Sequence, residues 1–217
     1  MKGLLKSNYF ATIVNAKVIT VIMASLCTLS IVIKSQILLI SFALLSMIGF
    51  AVISLASIRK ESNSKWGKYK LTLPIKRAAI VQSYYLSLVF WLLWGIFIAG
   101  IGIALSILLR GFLFDKNTDI INLYVAGIGI SLFMGAIFFP LFHWQGGEER
   151  SEAFLAISLI LGTGIMIGVS TVINSLFAKP MTTLQTINAD ILILLWAILV
   201  FVFSCLLTIH IYRKRDY

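Results

Sequence analysis

Charge is scarce in this chain, and acid is scarcest. Of its 217 residues only 12% are charged, with eight Asp and Glu against 18 Lys and Arg, while 60% are hydrophobic. A soluble domain of this length needs far more polar surface, so lipid must be the solvent over most of the outside. The net charge of +10 does not point to nucleic acid, because the basic residues sit in short clusters between long apolar runs. Only two cysteines occur, Cys27 and Cys205, each inside an apolar run. That excludes a disulfide framework and any metal-ligand spacing, and leaves each thiol as a small hydrophobe. There is no Gly-x-x-x-x-Gly-Lys-Ser/Thr phosphate loop, so the chain cannot hydrolyse ATP alone. Glu148 and Glu149 are neighbours in a turn rather than two carboxylates facing across a cleft, which argues against general acid–base catalysis.

What remains is apolar and helical. Six intervals lack Asp, Glu, Lys and Arg altogether: 18–33, 35–58, 78–109, 120–147, 153–178 and 191–212. A helix needs roughly 20 apolar residues to cross about 30 Å of hydrocarbon, and the runs are continuous rather than alternating, which excludes barrel strands. The fold class is therefore all-α: a polytopic membrane protein forming a single transmembrane domain over 1–217. Its six spans are expected at about 16–33, 36–58, 80–109, 120–143, 153–178 and 190–212, with a cytoplasmic loop over 59–79. The first run follows Lys2, Lys6 and Lys17 but lacks a clean small-x-small cleavage site, so it is expected to be a span and not a removable leader.

Basic residues orient the bundle. With both termini in the cytoplasm, that side holds three lysines before the first span and seven Lys and Arg in the 59–77 loop. Arg150 and the three basic residues of the tail join them, making fourteen. Only Lys34, Arg110, Lys116 and Lys179 face outward, and so uneven a division fixes the orientation. Trp144 and Tyr212 then fall at cytoplasmic span ends, where amphipathic rings are favoured.

Inside the spans the polar residues are mild: Ser41, Ser46, Ser54, Ser170, Thr171 and Asn174. Ion-coupled carriers place an acid or base at midplane, so self-powered transport is disfavoured. His143 and His210 lie near span ends, where a structural role is the simpler expectation. The Gly164/Gly168 pair, with Gly162, and the glycines at 95, 100, 102, 127, 129 and 135 should let helices pack closely. Pro140 should kink or end the fourth span.

The 59–77 loop carries the main functional signal. Asn63 or Ser64 can cap a short helix that Pro74 ends. Trp66, Tyr69 and Leu73 share one face of it, at i, i+3 and i+7, with Lys65, Lys68 and Thr72 on another. So short a helix is not stable alone in water and must bury its apolar face. The bilayer surface and a groove on a partner protein satisfy that need equally well.

The run from Lys65 through Trp66, Lys68, Tyr69, Leu71, Leu73 and Pro74 to Arg77 resembles the corresponding loop of ABC-2-type permeases, with its Trp-x-x-Tyr, Leu-Pro, Arg series before the third span. A second stretch, Phe138 to Arg150, is similar to that family's proline-containing end of the fourth span and the Gly-x-Glu-Lys-like turn after it, here Gly147, Glu148, Glu149 and Arg150. Gly67 stands where an acidic residue is common, Lys76 replaces a small hydroxyl residue, and Arg150 replaces a lysine. The resemblance covers nearly the whole chain in span count and loop order. Within the family the chain looks most like permeases of phenol-soluble modulin and bacteriocin- or lantibiotic-immunity exporters.

The resemblance implies a permease subunit of a type V ABC exporter in a bacterial cytoplasmic membrane. Two permease subunits, a second copy or a paralogue, would dock on two copies of a separate ABC ATPase subunit. ATP and Mg would be bound by that partner, with no cofactor in this chain. Segment 63–73 would be the coupling helix, with Trp66, Lys68, Tyr69, Leu71, Leu73 and Pro74 as its contact residues and Gly147 to Arg150 as a second contact. Leu4 to Val14 would correspond to an interfacial connecting helix. The substrate would be amphipathic or hydrophobic, entering from the lipid, with no part for nucleic acid. A non-transporting sensor or assembly factor that binds a soluble protein through the same loop is the alternative. Substituted cysteines at 116 and 179 should react with an impermeant thiol reagent from outside, and those at 65 and 149 from the cytoplasm. Labelling of position 116 from the cytoplasmic side would overturn the topology.

Overall fold

In the computed structural model the described residues are 2–63, 77–111, 114, 117–145, 150–176 and 182–214. They form six helices: α1 (Lys2–Ile33), α2 (Gln36–Asn63), α3 (Arg77–Arg110), α4 (Asn117–Gln145), α5 (Ser151–Ser175) and α6 (Thr183–Lys214). No strand occurs among the described residues. All six are long and apolar enough to cross a membrane. With 32, 34 and 32 residues, α1, α3 and α6 are about 48 to 51 Å long and overreach a hydrocarbon layer of about 30 Å. Their excess must tilt or project into the aqueous boundary.

Local signals set the helix ends. Lys34, with φ 57°, closes α1 in the left-handed conformation, and the Ser35 hydroxyl accepts from the Leu38 N–H at 3.4 Å to begin α2. Gly111, with φ 81°, closes α3. α6 opens on a reciprocal pair: the Gln185 side chain accepts from the Thr182 N–H at 2.9 Å, and the Thr182 hydroxyl accepts from the Gln185 N–H at 3.4 Å. The segment Leu4–Val14 is no separate connecting helix. It runs unbroken into the first span as the opening third of α1.

The core sits on α2 and α4. Half of the α2 span and 61% of the α4 span are enclosed, against 22–33% for the others. α4 packs mainly on α6, α5 and α2, while α2 packs on α3 and α1. Phe42, Met47, Phe50, Phe133, Phe138 and Phe139 are wholly buried there. The perimeter is the reverse, with exposed side chains such as Val21, Leu108, Ile167 and Phe203. In water that surface would aggregate; in a bilayer it is the expected contact with lipid tails.

Glycines divide by the space around them. Gly95 lies against the α2 backbone, where an added Cβ would stand 2.8 Å from the Ser46 carbonyl oxygen and 3.0 Å from Met47 Cα. Gly162 meets the α4 backbone at Met134 in the same way. Gly164 and Gly168 do not: nothing lies within 4 Å of either added Cβ. The small-xxx-small pair therefore faces away from its own bundle, because Gly162 lies on a different side of α5. Gly95→Ala should destabilise the purified protein by about 1–3 kcal/mol through overpacking, whereas Gly164→Ala should be neutral or slightly stabilising. Thermal melting in one detergent distinguishes them; equal melting temperatures would refute the assigned faces.

Candidate coupling interface

Pro140 lies inside α4, which continues past it to Gln145. Proline has no N–H, so the carbonyl four residues back, on Ala136, loses its helical partner. The Ser204 hydroxyl of α6 donates to that carbonyl at 2.6 Å. A polar side chain on a neighbouring helix thus restores what proline removed, as an apolar surrounding demands. This is why Pro140 does not terminate the span.

Ser204 belongs to a buried network. The Tyr85 hydroxyl on α3 lies 2.8 Å from Ser204 Oγ and 2.9 Å from Thr208 Oγ1. Thr208 in turn donates to the Ser204 carbonyl at 2.8 Å. The Tyr85 ring packs on Phe139 and Phe201, with centroids at 4.2 and 4.9 Å. One tyrosine therefore joins α3, α4 and α6 by hydrogen bonds and by ring packing.

Two more contacts hold the same end of α3. Asn8 of α1 donates its amide to the Ser83 carbonyl at 3.3 Å and to Ser83 Oγ at 3.4 Å. Arg77, the first residue of α3, donates through Nη1 to the Arg213 carbonyl in the last turn of α6 at 3.4 Å. A cation on the final carbonyls of a helix also meets the negative end of its dipole. These contacts put the beginning of α1, the start of α3 and the end of α6 at one end of the bundle. That agrees with an even number of spans.

His143 completes the cluster. It is buried, its Nδ1 lies 2.8 Å from the Phe139 carbonyl, and its ring packs among Tyr84, Phe142 and Tyr212. Ring contacts from α3, α4 and α6 thus enclose its imidazole. Tyr212, in the last turn of α6, is buried against His143, whereas Trp144 is exposed.

Trp66, Lys68, Tyr69, Leu71, Leu73 and Pro74 lie outside the described residues, as do Gly147, Glu148 and Glu149. Arg150 is described. It is exposed and immediately precedes α5, where its carbonyl accepts from the Phe154 N–H at 3.0 Å. The two loops adjoin this network, a clasp on α3, in the chain: the first ends at Arg77, and the second begins three residues after His143. Tyr85, Ser204, Thr208, Asn8 and Ser83 escaped sequence reasoning. A serine and a threonine four residues apart on α6, with a proline inside an apolar span, were the available signal.

The family model for the ABC-2 family transporter protein matches residues 3–213. The chain belongs to that family. It is accordingly the membrane-spanning permease component of an ABC transporter, a multi-pass protein of the cytoplasmic membrane, and an ABC ATPase is its implied partner. No match was found among curated proteins or solved structures. In this ABC-2 permease the 64–76 segment links α2 at Asn63 to α3 at Arg77, and the first turns of α3 meet α1, α4 and α6.

Ser204→Ala leaves the Ala136 carbonyl without a partner and should cost about 1–3 kcal/mol. Tyr85→Phe should cost less, about 1 kcal/mol, because Ser204 and Thr208 each keep a carbonyl acceptor. Pro140→Ala, by restoring an N–H, should lessen the cost of Ser204→Ala in a double-mutant cycle on melting temperature. Additive effects would show that proline and serine are not linked.

Proposed function

We propose that this permease exports an amphipathic or hydrophobic substrate, of the toxic or antimicrobial peptide class, driven by ATP and Mg bound on two copies of a separate ATPase. A second permease copy or a paralogue completes the assembly. One observation carries the substrate class. A cavity of about 550 Å³ opens sideways between the beginning of α1 and α3, lined by Leu5, Tyr9, Leu86, Phe90, Trp91 and Leu93, with Lys6 among its lining residues. Its walls are apolar and aromatic, and the charge distribution sets it at the cytoplasmic leaflet. A substrate already dissolved in that leaflet can enter such a groove with its polar part toward Lys6. It then needs no charged pocket at midplane.

Energy reaches the bundle through segment 63–73. In the docked complex Trp66, Tyr69 and Leu73 would be its buried face, and Lys65 and Lys68 its rim. A buried aromatic anchor is worth roughly 2 kcal/mol or more on truncation, and a rim charge up to about 1 kcal/mol. The double variant Trp66→Ala, Tyr69→Ala should therefore weaken docking of the ATPase by roughly two to three decades. Replacing Lys65 and Lys68 with Gln should matter far less, and less still at high salt. Pull-down of the partner ATPase by both variants in one salt series checks this. A loop that merely rests on anionic lipid gives the opposite ranking, and wild-type docking by the aromatic variant would dismiss 63–73 as the coupling helix.

A further inference from the structure

The outer ends of α4, α5 and α6 enclose a second cavity, of about 520 Å³, unlike the apolar groove at the inner end. Its polar lining is Asn122 on α4, Ser170 and Asn174 on α5, and Thr186 and Asp190 on α6. Asp190 lies seven residues into α6 and is 7% exposed. From Asp190 to Tyr212 the helix covers about 33 Å, close to one hydrocarbon thickness, so the carboxylate stands at the outer edge of the bilayer.

A buried carboxylate demands compensation. With its amide nitrogen turned toward Asp190, Asn122 donates to Oδ1 at 3.0 Å and Oδ2 at 2.6 Å. That satisfies geometry but brings no positive charge. No ion pair to Asp190 occurs among the described residues. Asn174 spends an N–H on Ser170 Oγ at 3.3 Å, which leaves its carbonyl oxygen as an acceptor. The site therefore offers oxygen acceptors and a negative charge, and calls for a ligand that donates and is cationic. A divalent metal does not fit, because no group of three His, Cys, Asp or Glu exists among the described residues. The space is also far larger than a bare ion needs, and Val125, Met166 and Ile193 supply an apolar wall beside the carboxylate.

We propose that this cavity is an exit site that binds the alkylammonium group of a cationic amphipathic substrate, the ammonium on Asp190 and the methylene stem along Val125, Met166 and Ile193. The proposal rests on the export reading above and refines its substrate class. Substrate enters the apolar groove at the inner leaflet and meets the carboxylate of Asp190 at the outer face. An ammonium has three donors and no acceptor, which matches what the cavity lacks.

The test uses the full chain in phosphatidylcholine nanodiscs, without its ATPase. The probe is a ten-residue Leu/Lys amphipathic peptide bearing one environment-sensitive fluorophore; its analogue has every lysine acetylated, and empty discs give the lipid background. Wild type should bind the charged peptide about tenfold or more tighter than the acetylated one, the scale of one charge-assisted contact. Asp190→Asn should erase that preference and leave binding of the acetylated peptide unchanged. Asn174→Leu, which fills the cavity from α5 without touching the Asp190–Asn122 contact, should erase it too and serves if Asp190→Asn does not fold. Three results overturn the proposal. One is undiminished preference in either folded variant. Another is competition by sodium but not by choline at equal ionic strength, which marks an inorganic cation site. The third is binding that appears only after Lys179→Gln or Lys116→Gln, which means a lysine of the chain itself fills the cavity. Because no ATPase is present, failure here leaves the docking result for Trp66 and Tyr69 untouched, and failure of docking leaves this one.

Discussion

One missing N–H organises the inner half of the bundle. Pro140 leaves the Ala136 carbonyl without its helical donor in a region where water cannot supply one, and Ser204 takes its place. Because Ser204 must stay at that carbonyl, α6 is fixed against α4 at one height. Because the Tyr85 hydroxyl meets Ser204 and Thr208 of α6 while its ring packs on Phe139 of α4, α3 is fixed to both. Buried hydrogen bonds in an apolar medium are costly to leave unmade, so the three helices hold their register more firmly than shape alone would require.

In the coupling proposed for the 64–76 segment, that clasp decides how force on the cytoplasmic face would be felt. α3 begins at Arg77, where the 64–76 segment ends, and within nine residues it has met α6 through Arg77, α1 through Ser83, and α6 again through Tyr85. A displacement of α3 cannot be absorbed by that helix alone. It must carry its neighbours or break several buried contacts together. Cooperative response of this kind is what a permease needs if a soluble motor is to move helices that lie mostly in lipid.

Much of this fold was legible in the sequence because lipid leaves few choices. Runs of more than twenty residues without charge admit helices, and fourteen inward cations out of eighteen orient them. The motif series around Trp66 and Pro140 pointed to the family that the match over residues 3–213 establishes. What could not be read is which side of a helix faces what. Gly162 and Gly164 are two residues apart, yet one abuts the α4 backbone and the other faces open space. In soluble helices a polar face would have shown the difference; in lipid both faces are apolar and periodicity is silent. Asp190 was hidden similarly. As the last charge before an apolar run it marked a span boundary, and only the approach of Asn122, Ser170 and Asn174 from other helices makes it part of a cavity.

The two polar sites are connected by register. α4 and α6 both run from the outer face inward, and each carries one residue of an outer contact and one of an inner contact. The outer pair is Asn122 with Asp190, the inner pair Ala136 with Ser204. On each helix the two levels are 14 residues apart, about 21 Å. Equal spacing on parallel helices means that α4 and α6 run side by side without slippage between the levels. Sliding one along the other would break both contacts together, so the two contacts hold the pair in one register. Motion that changes the outer cavity must then come from its remaining wall. That wall is Ser170 and Asn174 of α5, which packs mainly on α4, turns Gly164 and Gly168 to open space, and has only slight contact with α6. Among the three helices around Asp190, α5 is the one whose displacement costs the fewest buried contacts.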